Sequence, residues 1–328
     1  MGRQLPLFEP ATEWRTLDER SRGTTFIAIR PRSVLNSPET TRMGYWSLNP
    51  YVGCEFGCTY CFARDAHRYA SERERERGEP APDMPAWLAF ERRILVKQGA
   101  AARLARTISP ERLAGNTIVI GTATDPYQPA ERRFRITRDL LEALAQHRSL
   151  SIDITTKSPL VTRDIDVLRT LRDRGRVRVN ISIATLDARL ARRLEMRSPV
   201  PAVRLRTLRR LHEAGIPTAV FIAPVLPGIT DDRASLERIF AAARAAGAEY
   251  IMGSPLRLRR AARERFFPHL DREFPHLAAR YRRAYARSVA APDAYRTALA
   301  ERINALRREY GFTPHDEDAE DAEDVASE

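Results

Sequence analysis

Residues 53–62 read Gly53-Cys54-Glu55-Phe56-Gly57-Cys58-Thr59-Tyr60-Cys61-Phe62. Three and then two residues separate the cysteines, and these are the only cysteines in the 328-residue chain. An odd number of closely spaced thiols argues against a disulfide framework and fits thiolates around a metal. Glycines at two loop positions allow unusual backbone angles and close approach. The segment therefore predicts a metal-binding loop.

Thiolate sulfur is the ligand that binds iron–sulfur clusters. A four-iron, four-sulfur cluster on Cys54, Cys58 and Cys61 would have one iron without a protein ligand, and an open position indicates catalysis rather than structure. The alternative is a structural zinc site with His67 as fourth ligand, in an arginine-rich nucleic-acid-binding protein without catalysis. The aromatic residues beside Cys61 and the long chain beyond it are not typical of a small zinc knuckle.

The formal charge is +12, and all but two of the 55 basic residues are arginines, because Lys97 and Lys157 are the only lysines. Residues 316–328 hold eight acids and no base, so the rest of the chain is more basic still. This charge predicts a nucleic acid as a possible partner; the alternative is the codon bias of a GC-rich genome. No apolar run approaches the roughly 20 residues of a membrane span, and the first residues do not resemble a signal peptide. We expect a cytoplasmic protein without a membrane partner.

Short apolar runs alternate with helical periodicity beyond the cysteines. The predicted strands are residues 47–53, 117–121, 151–156, 177–183, 218–223 and 249–252. Helices are predicted between them, at residues 62–77, 136–147, 164–174 and 232–246 among others. This alternation predicts a parallel sheet with right-handed crossovers, and six units suggest an open barrel. We expect an irregular N-terminal arm (1–40), the barrel (41–255), a helical C-terminal extension (256–312) and a disordered acidic tail (313–328).

The cysteine spacing, with an aromatic residue before the last cysteine, resembles the radical S-adenosylmethionine (SAM) superfamily. The segments Asn49–Cys54, Thr124–Glu131 and Thr155–Ser158 resemble its spore photoproduct lyase-like branch. The resemblance implies an α/β fold, a partial (β/α)6 TIM-like barrel with the cluster loop after its first strand. It also implies that SAM binds the open iron and is cleaved reductively, giving a 5′-deoxyadenosyl radical that takes a hydrogen atom from an unknown substrate. A one-electron donor such as flavodoxin or ferredoxin is the implied partner.

Two SAM contacts follow from the resemblance at strand ends. Lys157 ends a predicted strand, the position at which barrel enzymes carry their active sites, and would pair with the SAM carboxylate. Ser182 matches a SAM-contacting serine. The alternatives are a surface lysine on a loop and a small polar residue that fills the barrel.

Further contacts involve the loops. Thr124 belongs to a segment that replaces a Gly-Gly-Glu sequence found in many relatives. Its backbone and hydroxyl oxygens would contact the SAM amino group. Alternatively, Thr124 or Asp125 caps a helix. Tyr60 would lie near the adenine, and Arg197 would bind the SAM carboxylate bidentately. Other candidates at the same strand ends are Thr122, Glu195, Ala223 and Pro224.

One position departs from the lyase pattern. Spore photoproduct lyase uses an additional cysteine as hydrogen-atom donor, and this chain has Ala123 at that place and no fourth cysteine. The lyase reaction is therefore not carried over. Tyr127 is either a redox-active replacement or a residue for packing and recognition.

Overall fold

The computed structural model describes residues 15–20, 23–31, 33–41, 44–76 and 83–312. Its strands are β1 (Arg15–Arg20), β2 (Thr24–Ile29), β3 (Leu35–Asn36), β4 (Trp46–Leu48), β5 (Tyr51–Val52), β6 (Arg93–Lys97), β7 (Thr117–Ile120), β8 (Ser151–Thr156), β9 (Arg176–Ser182), β10 (Thr218–Val225) and β11 (Tyr250–Pro255). Its α-helices are α1 (Pro38–Thr41), α2 (Asp65–Glu76), α3 (Ala86–Arg92), α4 (Ala100–Thr107), α5 (Pro110–Leu113), α6 (Glu131–Phe134), α7 (Ile136–Leu144), α8 (Ile165–Arg174), α9 (Ala188–Leu194), α10 (Pro201–Glu213), α11 (Arg233–Ala245), α12 (Arg260–Glu273), α13 (Pro275–Ala284) and α14 (Asp293–Glu309). Two 3₁₀ helices cover Phe62–Arg64 and Pro159–Asp164.

The main sheet has the strand order β11-β10-β9-β8-β7-β4-β3. From β4 to β11 each neighbouring pair is parallel, and β3 joins the edge antiparallel to β4. The parallel strands follow one another in chain order with helices between them, which confirms the predicted α/β alternation. All their carboxyl ends therefore lie along one edge of the sheet, where ligand sites of parallel sheets are found.

The two faces of the main sheet differ in chemistry because successive side chains of a strand point to opposite faces. On β9, Val179 and Ile181 belong to the large apolar core, together with Leu168 and Leu208 from the covering helices. The alternate residues Asn180 and Ser182 are also buried but polar. Ser182 thus ends a polar face, as the sequence pattern predicts.

A second, four-stranded sheet has the order β1-β2-β6-β5. It corrects the prediction of an irregular N-terminal arm, because β1 and β2 lie within residues 1–40. Strand β2 pairs with β6 in parallel, with Phe26 opposite Ile94, and β5 pairs antiparallel with β6. The cysteine loop therefore starts at the edge of this small sheet and crosses to the main one.

The last three helices follow β11, in the region where the sequence predicts a helical extension. Phe266 and Leu270 of α12 and Tyr281 of α13 share one buried cluster with Cys54 and Cys58. The extension therefore shields the cysteine loop from solvent. The predicted acidic tail lies outside the described residues, among which no helix is long and apolar enough to cross a membrane.

Candidate metal and cofactor site

The three thiols lie in a mostly buried loop. Cys54 and Cys58 are buried, Cys61 is partly exposed, and none forms a disulfide. Burial raises the pKa of each thiol, that of Cys58 to about 11, and neighbouring Cys58 and Cys61 raise the pKa of Cys54 further. Thiolates buried so close together need a positively charged partner, which an iron–sulfur core supplies. The residues present therefore fit the predicted cluster.

The first half of the loop is held by the segment after β7. The Gly53 carbonyl accepts hydrogen bonds from Thr124 Oγ1 at 2.5 Å and Gln128 Nε2 at 3.0 Å. Gln128 Oε1 accepts from the Glu55 N–H at 2.9 Å, so one buried amide spans the Cys54 position. Gly53 has φ +96°, and a Cβ there would lie 2.9 Å from the Phe90 carbonyl. Thr124 thus positions the loop with its hydroxyl, and its predicted contact to SAM stays a prediction.

The second half of the loop is held by a charged cluster. Arg64 donates to the Cys58 carbonyl at 2.5 Å and pairs with buried Glu91 at 2.7 Å. Arg197 and Arg265 pair with the same carboxylate, at 2.6 and 3.2 Å. A Cβ at Gly57 would overlap the Arg197 guanidinium. To bind the SAM carboxylate bidentately, Arg197 would have to give up its ion pair with Glu91, and the predicted contact would cost that interaction.

Three predicted residues come together beside the cysteines. The Tyr60 hydroxyl donates to buried Glu195, which also pairs with Arg204. Arg204 donates to the Ser182 carbonyl at 2.9 Å, and the Lys157 ammonium lies 6.0 Å from the centre of the Tyr60 ring. Tyr60, Lys157 and Ser182 therefore surround one place. The sequence analysis missed Arg204, as it missed Glu91 and Gln128.

Charge balance keeps this cluster ionised. Burial opposes the Glu195 charge, but Arg204 and Lys157 outweigh it and hold the pKa of that carboxyl below its usual range. Burial likewise opposes the Lys157 charge, yet Cys58 and Glu195 raise its pKa overall. In the part of the chain that the structure describes, the Lys157 ammonium makes no ion pair within 4 Å. It is a cation available to an anionic ligand.

The Lys157 backbone is fixed by Asp125. This carboxylate accepts from the Lys157 N–H at 2.8 Å, the Thr156 hydroxyl at 2.6 Å and the Tyr127 N–H at 2.9 Å. The next helix begins at Glu131, so the alternative of a helix cap at Thr124 or Asp125 is wrong. Asp125 instead ties the end of β8 to the loop after β7.

The remaining candidates divide into two groups. Ser182 Oγ lies 3.4 Å from the Ala223 carbonyl, so Ala223 and Pro224 flank the same strand end. The Thr122 hydroxyl lies 2.7 Å from Ser47 Oγ and accepts from Asn49 Nδ2, and Asn49 Oδ1 accepts from the Ala123 N–H. These bonds fix the strand end structurally.

Tyr127 is completely buried in the large apolar core, not in the cluster that contains the cysteines. After burial, Asp164 and Glu131 raise its pKa most. These residues belong to the layer behind the sheet, so the structure supports packing for Tyr127 rather than hydrogen-atom donation.

The sequence matches the radical SAM superfamily over residues 48–239, which include the whole cysteine loop. The chain belongs to the radical SAM superfamily. It is 33% identical over 290 residues to an uncharacterized protein of Mycobacterium tuberculosis, covering 88% of this chain and 82% of that one. An uncharacterized protein of Methanocaldococcus jannaschii is 27% identical over 205 residues, covering 62% and 69%.

Solved structures agree on the fold of this radical SAM protein. Spore photoproduct lyase complexed with dinucleoside spore photoproduct matches with a TM-score of 0.62 at 13% identity, covering 87% of this chain and 79% of the lyase. A mutant of that lyase with bound AdoMet and the same dinucleoside matches with a TM-score of 0.61 at 12% identity and the same coverage. The motifs and the fold therefore both resemble the spore photoproduct lyase-like branch.

The zinc alternative loses its support in a radical SAM protein. His67 Nε2 lies 2.6 Å from the Arg93 carbonyl oxygen, and burial lowers the pKa of this imidazole to about 4. Within the described ranges, no three His, Cys, Asp or Glu side chains converge as a single ion requires. A four-iron cluster would not need the three cysteines to meet at one ion, since each cysteine would bind a different iron.

Proposed function

We propose that the protein is a radical SAM enzyme that holds a four-iron, four-sulfur cluster on Cys54, Cys58 and Cys61 and binds SAM beside Lys157. When bound, the two cofactors supply reductive cleavage of SAM to a 5′-deoxyadenosyl radical, which takes a hydrogen atom from the substrate. One observation carries the proposal: the Cys58 and Cys61 thiols lie near the Lys157 ammonium, which makes no ion pair within 4 Å among the described residues and lies 6.0 Å from the centre of the Tyr60 ring.

The side chains around the thiols have distinct tasks in this proposal. The Lys157 ammonium would bind the SAM carboxylate as a point charge. Arg204 holds Glu195 and the end of β9, and Glu195 in turn holds the Tyr60 hydroxyl. Tyr60 is thereby kept in one orientation at the proposed adenine side. The apolar cluster around Cys54 and Cys58 excludes water from the site.

Two further parts of the proposal concern the barrel fold and the cellular location with its partners. The sequential parallel strands support a partial (β/α)6 barrel, with Ser182 and Thr124 at its mouth. We place the enzyme in the cytoplasm, where a flavodoxin or ferredoxin would reduce the cluster. The charge of +12 supports a nucleic acid as one substrate class to be assayed.

Repair of the methylene-bridged thymine dimer is not part of the proposal. After fragmentation a thymine-centred radical must receive a hydrogen atom, and a thiol beside the SAM site would donate one. All three cysteines of this chain are assigned to iron, and Ala123 stands where the lyase has its donor. Tyr127 is buried in the large apolar core, not in the apolar cluster that contains the cysteines. We expect SAM cleavage without coupling to the dimer.

The test is anaerobic reconstitution with iron and sulfide, followed by SAM and dithionite. We expect about four irons per chain, a brown protein, and 5′-deoxyadenosine detected by mass spectrometry. Oligonucleotides, the thymine dimer and cell-extract fractions are then added to look for substrate-dependent turnover. A colourless zinc protein that leaves SAM intact would refute the proposal, and clean dimer repair would overturn the argument from Ala123.

A further inference from the structure

One buried amide on the polar face of the main sheet has no hydrogen-bond partner. Asn180 is 1% exposed, and among the buried side chains of the described ranges it is the only one with two unpartnered polar atoms, Oδ1 and Nδ2. Roughly nine-tenths or more of the buried polar groups in proteins are paired, because an unpaired group loses its hydrogen bonds to water. The free chain therefore keeps an unfavourable feature at this position.

The strands place this amide next to the predicted SAM contacts. Asn180 precedes Ser182 by two residues on β9, and its Cα partner on β8 is Thr155, which precedes Lys157 by two residues. Thr155 follows Ile154 of the large apolar core, so it points to the polar face, as Asn180 does. At about 3.3 Å per residue, the Thr155–Asn180 pair lies roughly 6–7 Å nearer the amino ends of the strands than the SAM contacts.

The neighbours of this pair differ along the polar face. Towards the amino ends, Asp153 and Arg178 form a buried ion pair and are Cα partners across β8 and β9. Towards the carboxyl ends, Phe221 is the Cα partner of both Ser182 and Met252. Phe221 and Met252 are partly exposed and belong to none of the apolar clusters. The ion pair therefore closes the face on one side, and solvent reaches it on the other.

An asparagine amide selects its ligand by hydrogen-bond type. It has an acceptor oxygen beside a donor nitrogen, so a ligand pairs with both atoms only if it has a donor beside an acceptor. An amide group has this pattern, with N–H next to C=O, whether it belongs to a ring or to an open chain. A carboxylate or a phosphate has acceptors alone and would leave Oδ1 of Asn180 unpaired. The partly exposed Thr155 hydroxyl adds one more donor or acceptor beside the amide.

We propose that Asn180, with Thr155 beside it, binds a neutral amide group of the substrate, either a ring lactam or an open-chain carboxamide. This inference rests on the proposed function, since Lys157 and Ser182 are assigned to SAM there and the neighbouring pair is left for the substrate. A site that contains buried polar groups strongly rejects analogues that cannot pair with them. The two residues therefore determine which substrates the enzyme accepts.

SAM itself is the other ligand that could satisfy the amide. Its adenine also has a donor next to an acceptor. The proposed adenine side is at Tyr60, whose hydroxyl is held by Glu195, and Asn180 lies deeper in the sheet than Ser182. The SAM affinity of an Asn180 variant therefore distinguishes substrate from cofactor.

Ligand-observed NMR on cluster-loaded protein with SAM and no reductant tests the proposal with four small probes. Uracil carries a ring lactam and acetamide an open-chain amide, whereas 1,3-dimethyluracil and acetate are matched analogues without an N–H. Uracil or acetamide should bind roughly tenfold more tightly than its analogue. Asn180→Leu should weaken that binding roughly tenfold, and Thr155→Val about threefold. The matched control is Asn116→Leu in the turn before β7, which should bind as wild type does.

Thermal unfolding of the same proteins without probes gives an independent readout. Replacing an unpaired buried amide by an apolar side chain removes the cost of its desolvation. Asn180→Leu and the smaller Asn180→Val should therefore raise the Tm. A lower Tm in both variants would show that the amide is already satisfied in the free chain, as by a buried water, and would overturn the proposal.

The remaining outcomes separate this proposal from the proposed function. If wild-type protein cleaves no SAM with dithionite, the proposed function fails, while probe binding and the Tm shifts of the full chain still test Asn180. Binding of neither amide probe, or equal binding by wild type and Asn180→Leu, would overturn the substrate site. A loss of SAM affinity in Asn180→Leu would assign the amide to the cofactor and overturn it as well.

Discussion

Two triads of the same composition each surround a buried glutamate, and their tyrosines belong to different apolar clusters. One is Tyr60–Glu195–Arg204 beside the cysteines. The other is formed by Tyr51, Glu131 and Arg163 in the layer behind β7. In each, a tyrosine hydroxyl and an arginine meet one buried glutamate, so residue types alone do not distinguish them.

The difference lies in what surrounds the glutamate. Glu131 accepts from Tyr51 at 2.5 Å, Arg163 at 2.8 Å, and the Thr137 and Arg138 N–H groups at 2.9 and 3.2 Å. Its carboxylate is saturated, and the triad fastens helices to the sheet. Near Glu195, besides Tyr60 and Arg204, lie the Lys157 ammonium and the Cys58 thiol. A buried ionic cluster that leaves a cation unpaired indicates a ligand site, whereas a saturated one indicates structure.

The cysteines give the largest test of this comparison. Single changes of Cys54, Cys58 or Cys61 to Ala should abolish the cluster, because each thiolate binds a different iron. Iron and sulfide analysis and the visible spectrum measure the loss. Tyr127→Phe, in the apolar core, should retain full iron. If all three cysteine variants keep the iron content of the wild type, the triad beside the cysteines does not belong to a cofactor site.

Glu131→Gln tests the saturated triad. The Arg163 guanidinium keeps Asp164 as a partner at 2.7 Å, so the loss comes from weakening the charge-assisted hydrogen bonds that the buried Glu131 carboxylate accepts, and we expect about 1.5–3 kcal/mol in the free energy of unfolding. Denaturant unfolding of the unloaded chain measures it. SAM affinity of the folded variant should be normal. A variant as stable as wild type but deficient in SAM binding would reverse the assignment of the two triads.

Lys157→Ala tests the cation beside the Tyr60–Glu195–Arg204 triad. The ammonium makes no ion pair within 4 Å among the described residues, and Arg204 still compensates Glu195 in the variant, so stability should change by less than about 1 kcal/mol. SAM binding should weaken by about 1.5–3 kcal/mol, the value of a hydrogen bond to a charged group. Ser182→Ala should show a smaller loss of the same kind. Equilibrium dialysis on cluster-loaded protein measures both, and unchanged affinity in both variants would show that the SAM contacts are misassigned.

Much of this arrangement could be predicted from sequence. Strands β8 and β9 were predicted almost residue for residue, because their apolar alternation is local. Strand β2 was missed although it forms a local antiparallel pair with β1; its second partner, β6, lies more than 60 residues away, and pairing at that distance has no local pattern. The cysteines were identified by spacing, and Lys157 and Ser182 by their position at strand ends.

The sequence could not choose between arginines. Arg197 and Arg204 lie seven residues apart, and only packing turns Arg204 inward to Ser182 while Arg197 meets Glu91. Glu91 itself has no neighbouring motif. Gln128 lies inside a segment that resembles the lyase branch, and the alternation of polar and apolar residues there does not show that its amide bridges the cysteine loop.

Lys97 extends the comparison to a buried charge that has no ionic partner among the described residues, and its effect should be the smallest. Burial lowers its pKa to about 8, from 10.5 when exposed. Between these values the unfolded chain binds more protons than the folded one, so stability rises with pH. Lys97→Met should stabilise the protein by about 1–3 kcal/mol at pH 7, and the advantage should shrink from pH 8 to 10.5. Parallel thermal unfolding curves at each pH measure the difference, and a constant advantage would contradict it.

The bonds of the cysteine loop also set an order of events during synthesis. Thr59 and Tyr60 are bound by Leu194 and Glu195, 135 residues further along the chain. At about 5–20 residues per second, a ribosome needs roughly 7–27 s to cover that interval. The thiols therefore leave the ribosome well before the residues that shield them. During this interval the nascent chain exposes three oxidisable sulfurs, and iron and sulfide can be delivered to them before the site closes.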